Sequence, residues 1–96
     1  MEQHQGNYDK AKQLYNESLD IDRKLGDQSG IAITIAQLGV LAGKQDNPAL
    51  AEKNYQEALR IFEKLGEKPH LEVTMSNLER VRQKIHEQHV KQIKRF

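Results

Sequence analysis

Two stretches of this 96-residue chain, forty residues apart, nearly repeat each other: NYDKAKQLYNESLDIDRKLG over residues 7–26 and NPALAEKNYQEALRIFEKLG over residues 47–66. Aligning residues 6–45 with 46–85 leaves 12 of 40 positions identical, among them Asn7/Asn47, Ala11/Ala51, Tyr15/Tyr55, Leu19/Leu59, Leu25/Leu65 and Gly26/Gly66. A period between about 20 and 50 residues is the signature of a stacked array, in which each unit leans on its neighbours to bury its apolar face. The chain holds fewer than two and a half such units, so it forms at most one small domain.

Each unit reads as a pair of helices. Ala11, Leu14, Tyr15, Ser18, Leu19, Asp22 and Leu25 recur at spacings of three and four, the period of a helix with one buried face. Asn7 is expected to cap this helix and Gly26 to end it in a left-handed conformation. The second copy says the same more strongly. Asn47 caps, Pro48 occupies the first turn, where its missing N–H costs nothing, and Gly66 stops the helix. Between them, Ile31, Ile35, Leu38, Leu41 and Ala42 form one stripe and Ile33, Ala36 and Val40 a second, so this helix is expected to be the most buried. Ser29 is expected to cap it. The last helix carries Leu71, Met75, Leu78, Val81 and Ile85, and by the repeat should end near Arg82. Its pattern runs on instead, as an overhang of roughly 15–20 Å at 1.5 Å per residue. The expected helices span about 7–25, 29–42, 47–65 and 69–93.

Composition excludes several classes. Helix formers dominate, 30% of residues are charged, and no segment approaches the length of apolar chain a membrane-spanning helix needs. There is no cysteine, hence no disulfide framework, thiolate nucleophile or cysteine-ligated metal. The N-terminus has no apolar signal-peptide stretch, and with the cysteine-free composition this leads to the expectation of a cytoplasmic protein. The net charge of +1 is unevenly spread: residues 80–96 carry six basic residues against Glu87 alone, and the body is mildly acidic.

The residues Gln37-Leu38-Gly39, followed in the next helix by Ala51, Tyr55 and Ala58, resemble the tetratricopeptide repeat. The resemblance extends backwards through Ala11, Tyr15 and Ser18 and forwards through Asn77-Leu78-Glu79, covering about residues 6–85. It implies an all-α solenoid of antiparallel hairpins, with Gly39, Ala51 and Ala58 where helices approach closely and Tyr55 filling the space between hairpins. Two departures stand out. The period is 40 rather than the family's usual shorter unit, and Glu79 replaces the expected glycine, so the last helix would serve as a cap. The helix order is second–first–second–first, one complete repeat flanked by two halves, which leads to the expectation of a piece of a longer array or a chain that pairs with another copy.

No constellation for chemistry is present. His86 and His89 lie three apart with no third ligand in sequence, His4 and His70 stand alone, and Ser18, Ser29 and Ser76 have no histidine–acid partners. The expectation is therefore a protein that is not an enzyme and takes no cofactor or metal. The resemblance implies binding by surface, with the first helix of each repeat lining a groove. The residues expected to face it are Ile33, Ala36, Gln37, Val40 and Lys44, then Val73, Ser76, Asn77, Arg80 and Lys84. Half of that set is apolar and half polar or basic, which suits an amphipathic or acidic peptide from a protein partner. Where the family's clamp for chaperone C-terminal carboxylates carries asparagine, this chain has Val40 and Arg80, so that specialised function is not implied. The alternative is a structural element, a homodimer formed through the orphan first helix and the long C-terminal helix. Nucleic-acid binding by the basic C-terminal helix is the third reading, weakened by the near absence of aromatic residues there.

Overall fold

The computed structural model describes residues 2–94, with side chains from Asn7 onward. His4, Arg95 and Phe96 therefore fall outside the described side chains. Four helices follow one another: α1 (Glu2–Leu25), α2 (Gln28–Lys44), α3 (Pro48–Leu65) and α4 (Lys68–Lys94). The all-α architecture and the four expected helices are present, with two differences in capping. Helix α1 begins five residues before Asn7, so Asn7 lies inside the helix and caps nothing. Helix α2 is capped by Asp27, whose carboxylate accepts from the Gly30 N–H at 2.9 Å, rather than by Ser29. The Ser29 hydroxyl instead donates to Glu67 of the next repeat at 3.0 Å.

The turns repeat as faithfully as the helices. At the end of α1, the Gly26 N–H bonds to the Arg23 carbonyl and the Asp27 N–H to that of Asp22. At the end of α3, the Gly66 N–H bonds to Glu63 and the Glu67 N–H to Phe62. Both glycines sit at φ +70°, the left-handed residue that closes this two-bond motif and satisfies carbonyls the helix leaves free. Asp46 does the same after α2 at φ +58°, a conformation that aspartate tolerates better than most side chains. Asn47 then caps α3 by accepting from the Leu50 N–H at 3.3 Å.

Helix α2 is the hub. It packs against α3 most extensively and against α1 on its other side, while α4 packs on α3 and barely touches α2. It also holds the most buried residues, as the double apolar stripe implies. One cluster joins Leu19 of α1, Ile31, Ala32 and Ile35 of α2, and Ala58 and Phe62 of α3. A second joins Ala42, Ala51, Tyr55 and Leu78. Ala32, Ala51 and Ala58 are wholly buried, which lets the α2 and α3 backbones approach closely. Gly39 sets the limit of that approach: a Cβ there would lie 2.8 Å from the Tyr55 ring.

Helix α1 shows what happens to the same helix without a hairpin partner. Ala51, Tyr55, Ala58 and Phe62 of α3 are buried, but their equivalents Ala11, Tyr15, Ser18 and Asp22 are partly or fully exposed. Met75, expected in the α4 core, is 47% exposed because it borders a shallow, open hollow beside Gln56, Leu59, Arg60 and Glu63 of α3, whereas Thr74 is buried at the position equivalent to Thr34.

Two glycines in α2 separate close packing from helix propensity. Gly39→Ala should destabilise the fold by about 1–3 kcal/mol, because the ring or the backbone must move. Gly43 has nothing within 4 Å of the added Cβ. Gly43→Ala should therefore stabilise by about 0.5–1 kcal/mol through helix propensity. Urea unfolding followed by circular dichroism measures both, and equal effects at the two sites would contradict the close-packing account.

Candidate functional site

The surface between α2 and α4 is a groove, because these two helices touch only slightly and α3 forms its floor. Its first half is an apolar hollow of about 210 Å³. Ile33, Ala36 and Val40 of α2 face Val73 and Asn77 of α4 across it, with Gln37 on the rim and Phe62 and Thr74 below. Val73 is 63% exposed, so an apolar surface is open to solvent here.

His70 closes one end. Its ring stacks on Phe62 with centroids 5.1 Å apart and planes 14° from parallel. Its Nδ1 lies 3.1 Å from the Glu67 carboxylate, which also accepts from Ser29. Glu67 precedes the first turn of α4, and one more methylene than the equivalent Asp27 lets it reach back to the preceding repeat. The Ser29–Glu67–His70 chain thus ties the start of α2 to the start of α4 and fixes the width of the groove at this end.

The second half is polar and basic, a hollow of about 280 Å³ bordered by Val40, Lys44, Asn77, Arg80, Val81 and Lys84 over the edge of the Tyr55 ring. Burial pushes the Tyr55 hydroxyl above its ordinary pKa, and the nearby Arg80 cation partly opposes the shift. Lys84 lies 3.3 Å from Asp46, an exposed contact of small energetic weight. A smaller hollow of about 110 Å³ beside Tyr15 is bordered by Gln37, Val40, Leu41 and Lys44, the repeat equivalents of Asn77, Arg80, Val81 and Lys84. The groove is thus a property of the repeat. The second copy makes it basic by placing Arg80 where the first has Val40.

Nine of the ten residues expected on the groove border one or both of its halves, and Ser76 is exposed and borders neither. Phe62, His70 and Thr74 also contribute and were not anticipated. His70 follows a proline at a helix start and has no motif around it, so only the fold reveals that it meets Phe62. Arg82 leaves the groove and bonds to Glu52 of α3 at 3.0 Å on the opposite side. His86 and His89 are exposed, and among the described residues no three His, Asp or Glu side chains converge in a way that would hold a metal.

A family model described as tetratricopeptide repeat matches residues 1–64, which include α1, α2 and almost all of α3. The chain belongs to the tetratricopeptide repeat family. No curated protein and no solved structure matches it. Tetratricopeptide repeats generally mediate protein–protein interactions and are generally not catalytic. Helix α4 lies beyond the matched residues, and its membership rests on its packing against α3 and on the repeat equivalence of Leu78 with Leu38 and Thr74 with Thr34.

If the Glu67 carboxylate ties α2 to α4, Glu67→Ala should cost about 1–2 kcal/mol by removing two part-exposed hydrogen bonds. Hydrogen exchange should quicken at the first turn of α4 ahead of the rest of that helix. Unchanged exchange there would show that the tie holds nothing.

Proposed function

We propose that the groove between α2 and α4 binds a segment of a protein partner that pairs an apolar anchor with acidic residues. The observation that carries this reading is the division of the groove. Ile33, Ala36, Val40 and Val73 expose an apolar surface at one end, and Lys44, Arg80 and Lys84 gather positive charge at the other. A bound apolar side chain would remove surface from water at roughly 25 cal/mol per Å². Acidic residues one or two turns further along would meet the cations and fix the direction of binding. On this reading the chain is a scaffold or adaptor, and the lack of cysteine suits a cytoplasmic setting.

A second reading, self-association, has its own support in the uneven outer faces of the end helices. On α4, the positions equivalent to Ala32, Gly39 and Ala42 are Glu72, Glu79 and Arg82. A partner seated there as α3 sits on α2 would drive an aromatic ring into Glu79 and bury charges. That face favours water, which shifts any self-association from α4 to α1. Nucleic-acid binding ranks last, since Arg82 and Lys84 already face Glu52 and Asp46.

The groove reading is tested with fluorescein-labelled peptides that combine a leucine or phenylalanine anchor with an acidic run. Val40→Asp and Arg80→Glu each alter an exposed side chain and should leave helicity intact. Each should weaken binding at least tenfold, about 1.4 kcal/mol, and the loss from Arg80→Glu should shrink as salt is raised. Peptides that bind both variants as well as the parent would sink the groove reading.

A further inference from the structure

Helix α1 carries an apolar ladder whose large members are exposed, and its repeat copy has Asn54 where the ladder has Leu14. Ala11, Leu14, Ser18, Ile21 and Leu25 follow one another at alternating spacings of three and four, the seam of a paired helix. Leu14 is 53% exposed, Ile21 57% and Leu25 75%. The ladder lies roughly a third of a turn from the face that Leu19 buries against α2, given 3.6 residues per turn. Comparison with α3 shows that this face has been recut. Where α3 has Ala58 and Phe62 against its hairpin partner, α1 has Ser18 and Asp22, and where α3 has Asn54, α1 has Leu14. Asp22 takes apolar surface from the face that a repeat-type partner would cover, and Leu14 adds it to the ladder.

From this face we infer that α1 pairs antiparallel with α1 of a second copy, with Leu14 against Leu25 of the other chain and Ser18 against its Ile21. The charges beside the ladder select this arrangement. In that register the flanking Glu17 of each chain meets Lys24 of the other, and Tyr15 meets Asp22. Shifting one heptad places Lys10 against Lys24 and Glu17 against Glu17. Shifting the other way leaves a single kind of apolar layer, Ile21 against Leu25, with Lys24 beside Lys24. A parallel pair would set Glu17 beside Asp22. Only the proposed register joins four layers of the ladder with opposite charges on its flanks, and its two-fold symmetry closes the assembly as a dimer. The seam spans about 18 Å at 1.5 Å per residue, so the dimer is reversible. The α2/α4 groove stays open in it. This pairing rests on the self-association reading and gives it a surface.

Sedimentation equilibrium of the 96-residue chain tests both. The parent should be dimeric at high micromolar concentration, and Ile21→Asp should be monomeric with unchanged helicity. Glu17→Lys should weaken the dimer at least tenfold, and the double variant Glu17→Lys with Lys24→Glu should recover most of that loss. The chain has no cysteine, so oxidising a mixture of Leu14→Cys and Leu25→Cys proteins should give the mixed disulfide in preference to either self-disulfide. A parent that stays monomeric overturns this pairing and self-association together. A dimer that ignores Ile21→Asp, is not rescued by the charge swap, or yields the self-disulfides overturns this pairing alone.

Discussion

The contact between Gly39 and the Tyr55 ring is the constraint on which the rest of this structure depends. It lets α2 and α3 lie closer than side chains with a Cβ would allow, and Ala32, Ala51 and Ala58 extend the same close seam along its length. Dispersion contacts are individually tiny and fall off steeply with distance, so a seam this tight gains many of them at once. Helix α1 then docks against α2 with Leu19 buried, and α4 docks with Leu78 and Thr74 buried and Leu71 and Val81 packed beside them. Burial accordingly decreases outward from the central hairpin. The two end helices remain open on their far sides.

Repetition supplies the frame, and the differences between copies supply the specificity. The frame consists of positions that hardly vary: the tyrosine, the small residues, the buried threonine and the left-handed glycine. Variation falls where the frame leaves surface. Val40 becomes Arg80 and turns one end of the groove basic. Gly30 becomes His70, which has room to stack because Asp22 has become Phe62. Asn54 against Leu14 moves apolar surface onto the open flank of α1. Each change is a single side chain on an unchanged backbone, so binding properties can differ between repeats at little cost to the fold.

Much of this was legible in the sequence because it follows from periodicity and turn chemistry. The stripes of α2 and α3, the Asn47 cap and the two glycine stops act locally, and local rules locate them. What was not legible depends on which residues meet across helices. Asn7 looks like a cap, but α1 begins at Glu2 and continues through it. Ser29 looks like a cap beside Asp27, yet its hydroxyl is taken by Glu67, which only the stacking of α2 beside α4 brings near. Most of the groove was legible through the repeat, whereas Phe62, His70 and Thr74 were not, because a buried aromatic and a lone histidine carry no periodic sign that they touch. Met75 keeps the period of a core residue, but the hollow it borders with Leu59 and Arg60 of α3 stays open to solvent.

Native-state hydrogen exchange tests the central hairpin account most directly, because it reads the stability of each segment separately. The account predicts that the slowest amides lie within residues 31–42 and 51–62, and that α1 before Ala11 and α4 beyond Arg82 exchange far earlier. Protection spread evenly over all four helices, or greatest in α4, would contradict it.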